Sequence, residues 1–359
     1  MELGITGLPL TGKTTLFNAL TGGTVATGGF SPEKGSHLAV VKVPDPRLAV
    51  LTEMFRPKKS TLADVRYVDV AGIVKGGAKD SRSGLLSVLR TVDALIHVVR
   101  EFESDTVPLP EGGIDPGRDI ADFDLELALS DLEVVERRLE RIEREFRSGK
   151  KEAEHERGVL TACHAALSAG KPLREIELSP EEAKLIRGYQ FLTRKPMIVV
   201  INIGEHRLPE ADRIAAELAS FGTRPNVELV VLCAEIEMEI SQLDEADQPV
   251  FLEELGIKEP AVRRLIKVSY HLLNLLSFFT VSPEEVRAWT LRKGALAPEA
   301  AGTVHSDFER GFIRAEVIAY DNLVACGSLV AAKERGLVRV EGKNYEVKDG
   351  DILYIRFSV

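Results

Sequence analysis

Between a short apolar run, Leu3 to Thr6, and a helical pattern, Thr14 to Leu20, stands Gly7-Leu8-Pro9-Leu10-Thr11-Gly12-Lys13-Thr14. The spacing is G-x-x-x-x-G-K-[ST], and it narrows the fold more than any other stretch of the chain. Two glycines let the backbone curl so that successive N–H groups point at one anion. A helix opening after Gly12 aims its positive dipole end at the same place. Lys13 supplies a point charge for β- and γ-phosphates. The Thr14 hydroxyl is a hard oxygen for Mg²⁺, and Leu10, Thr11, Gly12 and Thr15 line the turn. A strand, a phosphate loop and a helix in that order predict the opening unit of a parallel α/β sheet.

The rest of the chain supplies that sheet. Leu38–Val43, Val65–Val70, Ala94–Val99, Met197–Ile203 and Val227–Cys233 are β-branched-rich runs with helical patterns between several of them, as at Pro209–Ser220. Such alternation implies crossover connections and a mainly parallel sheet. Val68-Asp69-Val70-Ala71-Gly72 closes one run with an acid and a glycine. Asp69 is placed to hold Mg²⁺ through water, and the Gly72 N–H to sense the γ-phosphate.

Guanine-specific enzymes read their base with N-K-x-D. Here the strand ends in Asn202-Ile203-Gly204-Glu205. Ile203 replaces the lysine, and Glu205, one methylene longer, replaces the aspartate that accepts from guanine N1–H and N2–H₂. Losing such a fit can cost orders of magnitude in discrimination, so ATP over GTP is expected. Cys233-Ala234 follows the last strand, where a backbone contact to the base belongs.

Two further segments have a different texture. In Asp124–Arg147, Leu125, Leu129, Leu132, Val135, Leu139, Ile142 and Phe146 recur every three or four residues amid glutamates and arginines. This predicts an amphipathic helix of about 36 Å, paired with a second helix carrying Val159, Leu160, Cys163 and Leu167. A stabilising insertion and a partner-docking arm are both open readings. Beyond Phe279, alternating runs separated by glycine turns predict a small β-rich domain. The boundaries expected are 1–122 and 196–277 for the nucleotide domain, 123–195 for the arm and 278–359 for the β-rich end.

Composition excludes other classes. Among 359 residues there are 3 cysteines, Cys163, Cys233 and Cys326, far apart, so neither a disulfide scaffold nor a zinc ribbon is expected, and a reducing cytosol fits. No apolar run spans a bilayer, no signal peptide is expected, and no DNA-specific motif is present. A net charge of -10 argues against coating nucleic acid through overall charge, so RNA contact needs a local patch. Arg287, Arg292, Lys293, Arg310 and Arg314 are candidates for one, a salt-bridged surface being the alternative. His97 is expected as a satisfied core histidine, Trp289 as core, and His305 with Asp307 as a structural pair.

Taken together, these residues resemble the YchF / Obg-like ATPase family, a branch of the translation-factor class of P-loop NTPases. The resemblance covers nearly the whole chain. It rests on Gly7–Thr21, on Asp69-Val70-Ala71-Gly72-Ile73-Val74-Lys75-Gly76, on Asn202–Glu205, and on Phe278–Thr290 with Ala297–Gly302 and His305–Glu316. It implies a P-loop NTPase core with an inserted helical hairpin and a C-terminal TGS domain of β-grasp, ubiquitin-like fold. It also implies Mg²⁺-dependent hydrolysis of ATP, GTP more poorly, and a cytoplasmic monomer that binds the large ribosomal subunit and RNA. An Obg-class GTPase, or a nucleotide-gated RNA- or protein-binding module, are the competing functions. Three departures stand out. Leu10 takes the place of the family's Asn. Near Glu33 the switch I threonine is missing, with Ser31 and Ser36 as other candidates. The loop after the fourth strand has Leu109 where many relatives carry a histidine, and Ile73 cannot orient water, so slow intrinsic turnover is expected.

Overall fold

The computed structural model describes residues 1–23, 37–70, 79–110, 112–148, 153–244 and 246–358. Ser31, Glu33, Ser36, Gly72 and Ile73 lie outside the described residues. The chain forms two compact units: Met1–Ala39 with Arg66–Leu265, and Val40–Val65 with Ile266–Val359.

The strands are β1 (Glu2–Thr6), β2 (His37–Lys42), β3 (Lys59–Thr61), β4 (Asp64–Asp69), β5 (Ala94–Glu101), β6 (Met197–Ile203) and β7 (Val227–Leu232). Five more follow: β8 (Leu275–Val281), β9 (Glu285–Arg292), β10 (Phe312–Ala319), β11 (Arg339–Glu341) and β12 (Asp351–Phe357). The first sheet has the order β2-β4-β1-β5-β6-β7. It is parallel from β4 through β7. Every residue of β6 is buried, as expected for a parallel strand covered on both faces. The phosphate loop runs from β1 into helix α1 (Lys13–Thr21). It therefore opens at the carboxyl ends of the strands, where open α/β sheets bind ligands.

Three further helices matter for the site: α2 (Pro46–Phe55), α3 (Lys79–Thr91) and α4 (Pro116–Arg147). α4 is longer than the sequence pattern suggested. Asp115 caps it, its carboxylate accepting from Arg118 N, and Pro116 occupies the first turn. Its 32 residues span about 48 Å. The expected boundary at residue 123 thus falls inside a helix. The stripe assignment also needs correction: Leu125 is 53% and Leu129 45% exposed. The reason is that α4 serves two cores in succession. Ile120, Phe123 and Leu127 pack on the sheet, which sets a different helical face inward. Ala128, Val135 and Ile142 then pack with Val159, Leu160, Cys163 and Leu167 of α5 (Glu154–Ser168), which completes the helical hairpin.

At the root of the hairpin Asp131 is fully buried. Its Oδ1 accepts from Arg90 Nη1 at 3.0 Å and Leu192 N at 3.0 Å. Its Oδ2 accepts from Thr193 N and Thr193 Oγ1, each at 2.8 Å. Arg90 also donates to Ser130 O, Ser130 Oγ and Gln190 O, so one carboxylate and one guanidinium pin the end of α3 to the arm.

The second unit has a sheet of order β11-β10-β12-β8-β9-β3. β8 and β9 form an antiparallel hairpin, β12 runs parallel to β8, and the helix Ala297–Val304 lies between β9 and β10 in sequence. Five of the six strands, β8 to β12, ordered this way around that helix are a β-grasp. The boundary expected before residue 278 falls inside β8. The segment Val40–Val65, expected in the first domain, is built into this unit: β3 pairs in parallel with β9, Lys59 opposite Glu285. Arg47 of α2 donates to both Asp45 and Asp349, at 2.8 Å and 2.7 Å. Trp289 is half-buried rather than core. It stacks on Phe278, donates from Nε1 to Thr280, and has the Arg287 guanidinium over its ring. His305 caps a short helix, its Nδ1 accepting from Asp307 N.

Candidate nucleotide site

The loop is shaped by backbone conformations that most side chains avoid. Gly7 has φ 145° and Gly12 φ 89°. A Cβ on Gly7 would strike Val98 O, and one on Gly12 the Asn202 amide nitrogen. Leu10 also has positive φ, 63°. A leucine there carries a strain of about 1 kcal/mol that the family's Asn would lessen. The loop holds itself in part: Thr11 Oγ1 donates to Leu8 O at 3.1 Å, and Lys13 Nζ donates to the same carbonyl at 2.6 Å. Thr15 is half-buried on the first turn of α1.

Thr14 Oγ1 donates to Asp69 Oδ2 at 3.1 Å. The two residues expected to serve the metal are thus adjacent, one opening α1 and the other closing β4. Burial pushes the Lys13 ammonium down to about 8, with the Asp69 charge opposing. Burial also raises Asp69, against its hydrogen bond from Thr14 and the Lys13 charge. A cation and an acid both disfavoured by dehydration form a site in electrostatic deficit, which a polyanion with its metal would relieve. The donor set, a hydroxyl and a carboxylate, consists of hard oxygens and fits Mg²⁺.

Asn202 stands between the phosphate loop and the loop after β7. Its Nδ2 donates to Thr11 O at 3.0 Å, and its Oδ1 accepts from Ala234 N at 2.9 Å. It ties the phosphate loop to the loop after β7, so the Ala234 N–H expected at the base is engaged internally. The Ile203 and Cys233 side chains are buried in the sheet core. Glu205 is exposed at the start of a 3-10 turn, free to face a base.

Sequence reasoning missed the arginines that shape the loop after β5. Arg100 donates to Phe102 O, Val107 O and Pro108 O; Arg118 donates to Gly112 O and Gly113 O. Carbonyl acceptors leave no signature in a sequence, so nothing could have pointed to this scaffold. Leu109, within the loop, is 63% exposed.

His97 sits behind the loop, its Cδ2 against Gly7 and its ring stacked on Phe123 at 3.9 Å. It is not satisfied as expected: among the described residues neither ring nitrogen has a hydrogen-bond partner. Burial, then the Lys13 charge, pushes its pKa down to about 3 from 6.5. The folded chain therefore stays neutral here while the unfolded chain takes up a proton below pH 6.5. Stability contributed by this group is present above that pH and lost as pH falls toward 3. The slope is about 1.4 kcal/mol per unit, or about 2 kcal/mol by pH 5. Denaturant titrations of His97→Phe at pH 7.5 and 5 should show a shallower acid loss; an unchanged loss would place its origin elsewhere.

Comparison with known proteins agrees with this geometry. A family model described as "50S ribosome-binding GTPase" matches residues 2–135, and the YchF-GTPase_C model, described as a protein of unknown function (DUF933), matches residues 275–358. "Ribosome-binding ATPase YchF" of Bacillus subtilis (strain 168) is 44% identical, covering 100% of both chains. The protein of that name from Escherichia coli O157:H7 is 40% identical over 100% of this chain and 99% of its own. Among solved structures, that of the Schizosaccharomyces pombe YchF GTPase superposes with TM-score 0.86 at 29% identity, covering 99% of this chain and 97% of that one. A phosphate loop after β1, an Asn202–Glu205 signature at the end of β6, a β-grasp end and 44% identity from end to end with the Bacillus subtilis protein lead to one conclusion: the chain belongs to the YchF family.

Proposed function

We propose that this chain is a switch-type nucleoside triphosphatase that hydrolyses ATP in preference to GTP and acts on the ribosome through RNA of the large subunit. The observation that carries the enzymatic reading is the grouping of buried Lys13 and Asp69 with half-buried Thr14 at the carboxyl edge of the sheet. The ribosome and ATP enter through the names of its full-length relatives. A cytoplasmic monomer is the accompanying expectation.

Hydrolysis is an in-line attack of water on the γ-phosphate. Lys13 Nζ exchanges Leu8 O for phosphate oxygens and neutralises charge as it builds. Loop amides from Leu10 to Thr15 hold the oxygens without reorganising, which is where most of the stabilisation arises. Thr14 and Asp69 would hold Mg²⁺, which when bound supplies further charge neutralisation on the phosphate oxygens. Gly72 is assigned the γ-phosphate contact by its motif. No polar side chain stands at Leu109 to orient water, so intrinsic turnover is slow and open to stimulation by a partner.

Base choice rests on Glu205. Restoring the aspartate geometry by Glu205→Asp should move the ratio of GTP to ATP affinity toward GTP by about tenfold. Titration with fluorescent ATP and GTP analogues reads this. Native chain binding GTP tenfold tighter than ATP would instead support an Obg-class GTPase. Co-sedimentation with ribosomes in nucleotide-free, ATP and ADP states tests the partner, and equal pelleting in all three would count against a switch.

A further inference from the structure

The second unit carries a charge arrangement that its own packing does not explain. β10 and β12 run antiparallel and place Arg314 directly opposite Arg356. Like charges in that position disfavour the pairing. The next pair on the same face sets Glu316 opposite Tyr354, and Val340 of β11 opposite Glu316. Glu316 is the one carboxylate bonded there among the described residues. Its Oε1 accepts from Arg356 Nε at 3.2 Å and Nη2 at 3.1 Å, and its Oε2 pairs with Lys333 Nζ at 3.3 Å. Two cations thus share one acid, and a third, Arg314, stands opposite Arg356. Arg314 has no hydrogen bond or ion pair among the described residues, and Arg314, Lys333 and Arg356 are all exposed. The opposite face of the same strands is core, with Ala315, Val317 and Leu353 buried.

The other basic residues singled out in the sequence are occupied or lie elsewhere. Arg310 pairs with Asp307, and Arg287 lies over Trp289. Arg292 is engaged as well. The arm offers Arg137 and Arg141, but exposed Glu133, Glu136, Glu140 and Glu143 surround them. The sheet face is where uncompensated positive charge collects, beside the half-buried Tyr354 ring and the exposed Val340. Converging cations next to an aromatic and an aliphatic surface suit a phosphodiester backbone with its sugars better than a peptide carboxylate.

We propose that the sheet face bearing Arg314 and Arg356, with Lys333 reaching it from the helix Leu329–Glu334, binds the RNA backbone, with Glu316 holding Arg356 and Lys333 in position and Arg314 free to engage a phosphate. This rests on the RNA contact proposed above and names its surface. The test is fluorescence anisotropy of a short labelled oligouridylate with the full chain across a salt series. The double variant Arg314→Gln/Lys333→Gln should weaken binding about tenfold. It should also flatten the log K against log [salt] slope by about 1.4, since each phosphate no longer neutralised on a single strand removes about 0.7. Arg314→Lys should retain most of the slope, and Arg137→Gln/Arg141→Gln should leave affinity within about twofold. A native chain without affinity would overturn both the RNA contact and this surface. A native chain that binds, with a folded double variant unchanged, would overturn the surface alone. Oligoglutamate competing as well as the RNA would assign the face to an acidic protein and overturn it too.

Discussion

Lys13→Ala is expected to lower nucleotide hydrolysis roughly 10³-fold, about 4 kcal/mol of barrier, while leaving the fold intact. In the structure Lys13 turns toward its own loop. Among the described residues its ammonium donates to Leu8 O, inside its own loop, and burial already disfavours its charge. Alanine therefore removes a cation disfavoured by burial together with one of the loop's two internal hydrogen bonds, effects of opposite sign, so the melting temperature should change little. In the reaction the same cation is needed where charge builds, in a site shielded from water, so its loss falls on the transition state. Single-turnover hydrolysis alongside thermal melting separates the two effects. A variant that hydrolysed within tenfold of the native rate would move the chemistry elsewhere. A variant that melted far lower would mean that Lys13 holds the loop.

Asp131→Ala should have the opposite profile: a loss of about 3 kcal/mol in stability with the site's own residues untouched. The carboxylate is fully buried and takes four hydrogen bonds, from Arg90, Leu192 and Thr193. Removing it leaves two amides and a hydroxyl without acceptors and a guanidinium short of its counterion. Arg90 is 18% exposed at its side chain and recovers some hydration, which keeps the loss at the lower end of the range for broken buried pairs. Urea denaturation followed by far-UV circular dichroism reads the change. Asp131→Asn, which keeps one acceptor oxygen, should lose about half as much. A shift below about 1 kcal/mol would show that the arm root relaxes around the gap.

These residues also show what a sequence discloses. The phosphate loop was legible because its chemistry fixes residue types at fixed spacing, and the structure places Lys13, Thr14 and Asp69 together. The parallel strands were legible because burial on both faces demands continuous apolar runs such as Met197–Ile203. The phase of α4 was not, since a helix that serves two cores changes its inward face partway along, and one period cannot describe both. Asn202 was legible as a base-site residue, yet its amide turned out to bind two backbone loops. That role depends on where Thr11 and Ala234 lie in space, and sequence distance says nothing of it. The transfer of Val40–Val65 to the second unit hangs on a three-residue strand, Lys-Ser-Thr, whose partner β9 lies more than two hundred positions on. No local pattern encodes such a pairing.

The insertion of the arm has a consequence for how the molecule comes into being. β5 and β6 are neighbours throughout, from Leu95 opposite Met197 to Glu101 opposite Ile203, yet the chain between them is about a hundred residues long. The centre of the sheet is closed by a contact between early and late portions of the polypeptide, and such closures come late in folding. Asn202, which grips Thr11, arrives on the later of the two strands. A growing chain thus displays its Gly-Lys-Thr sequence long before it owns the clasp that sets the loop, and competence for nucleotide is acquired only when synthesis has passed the arm.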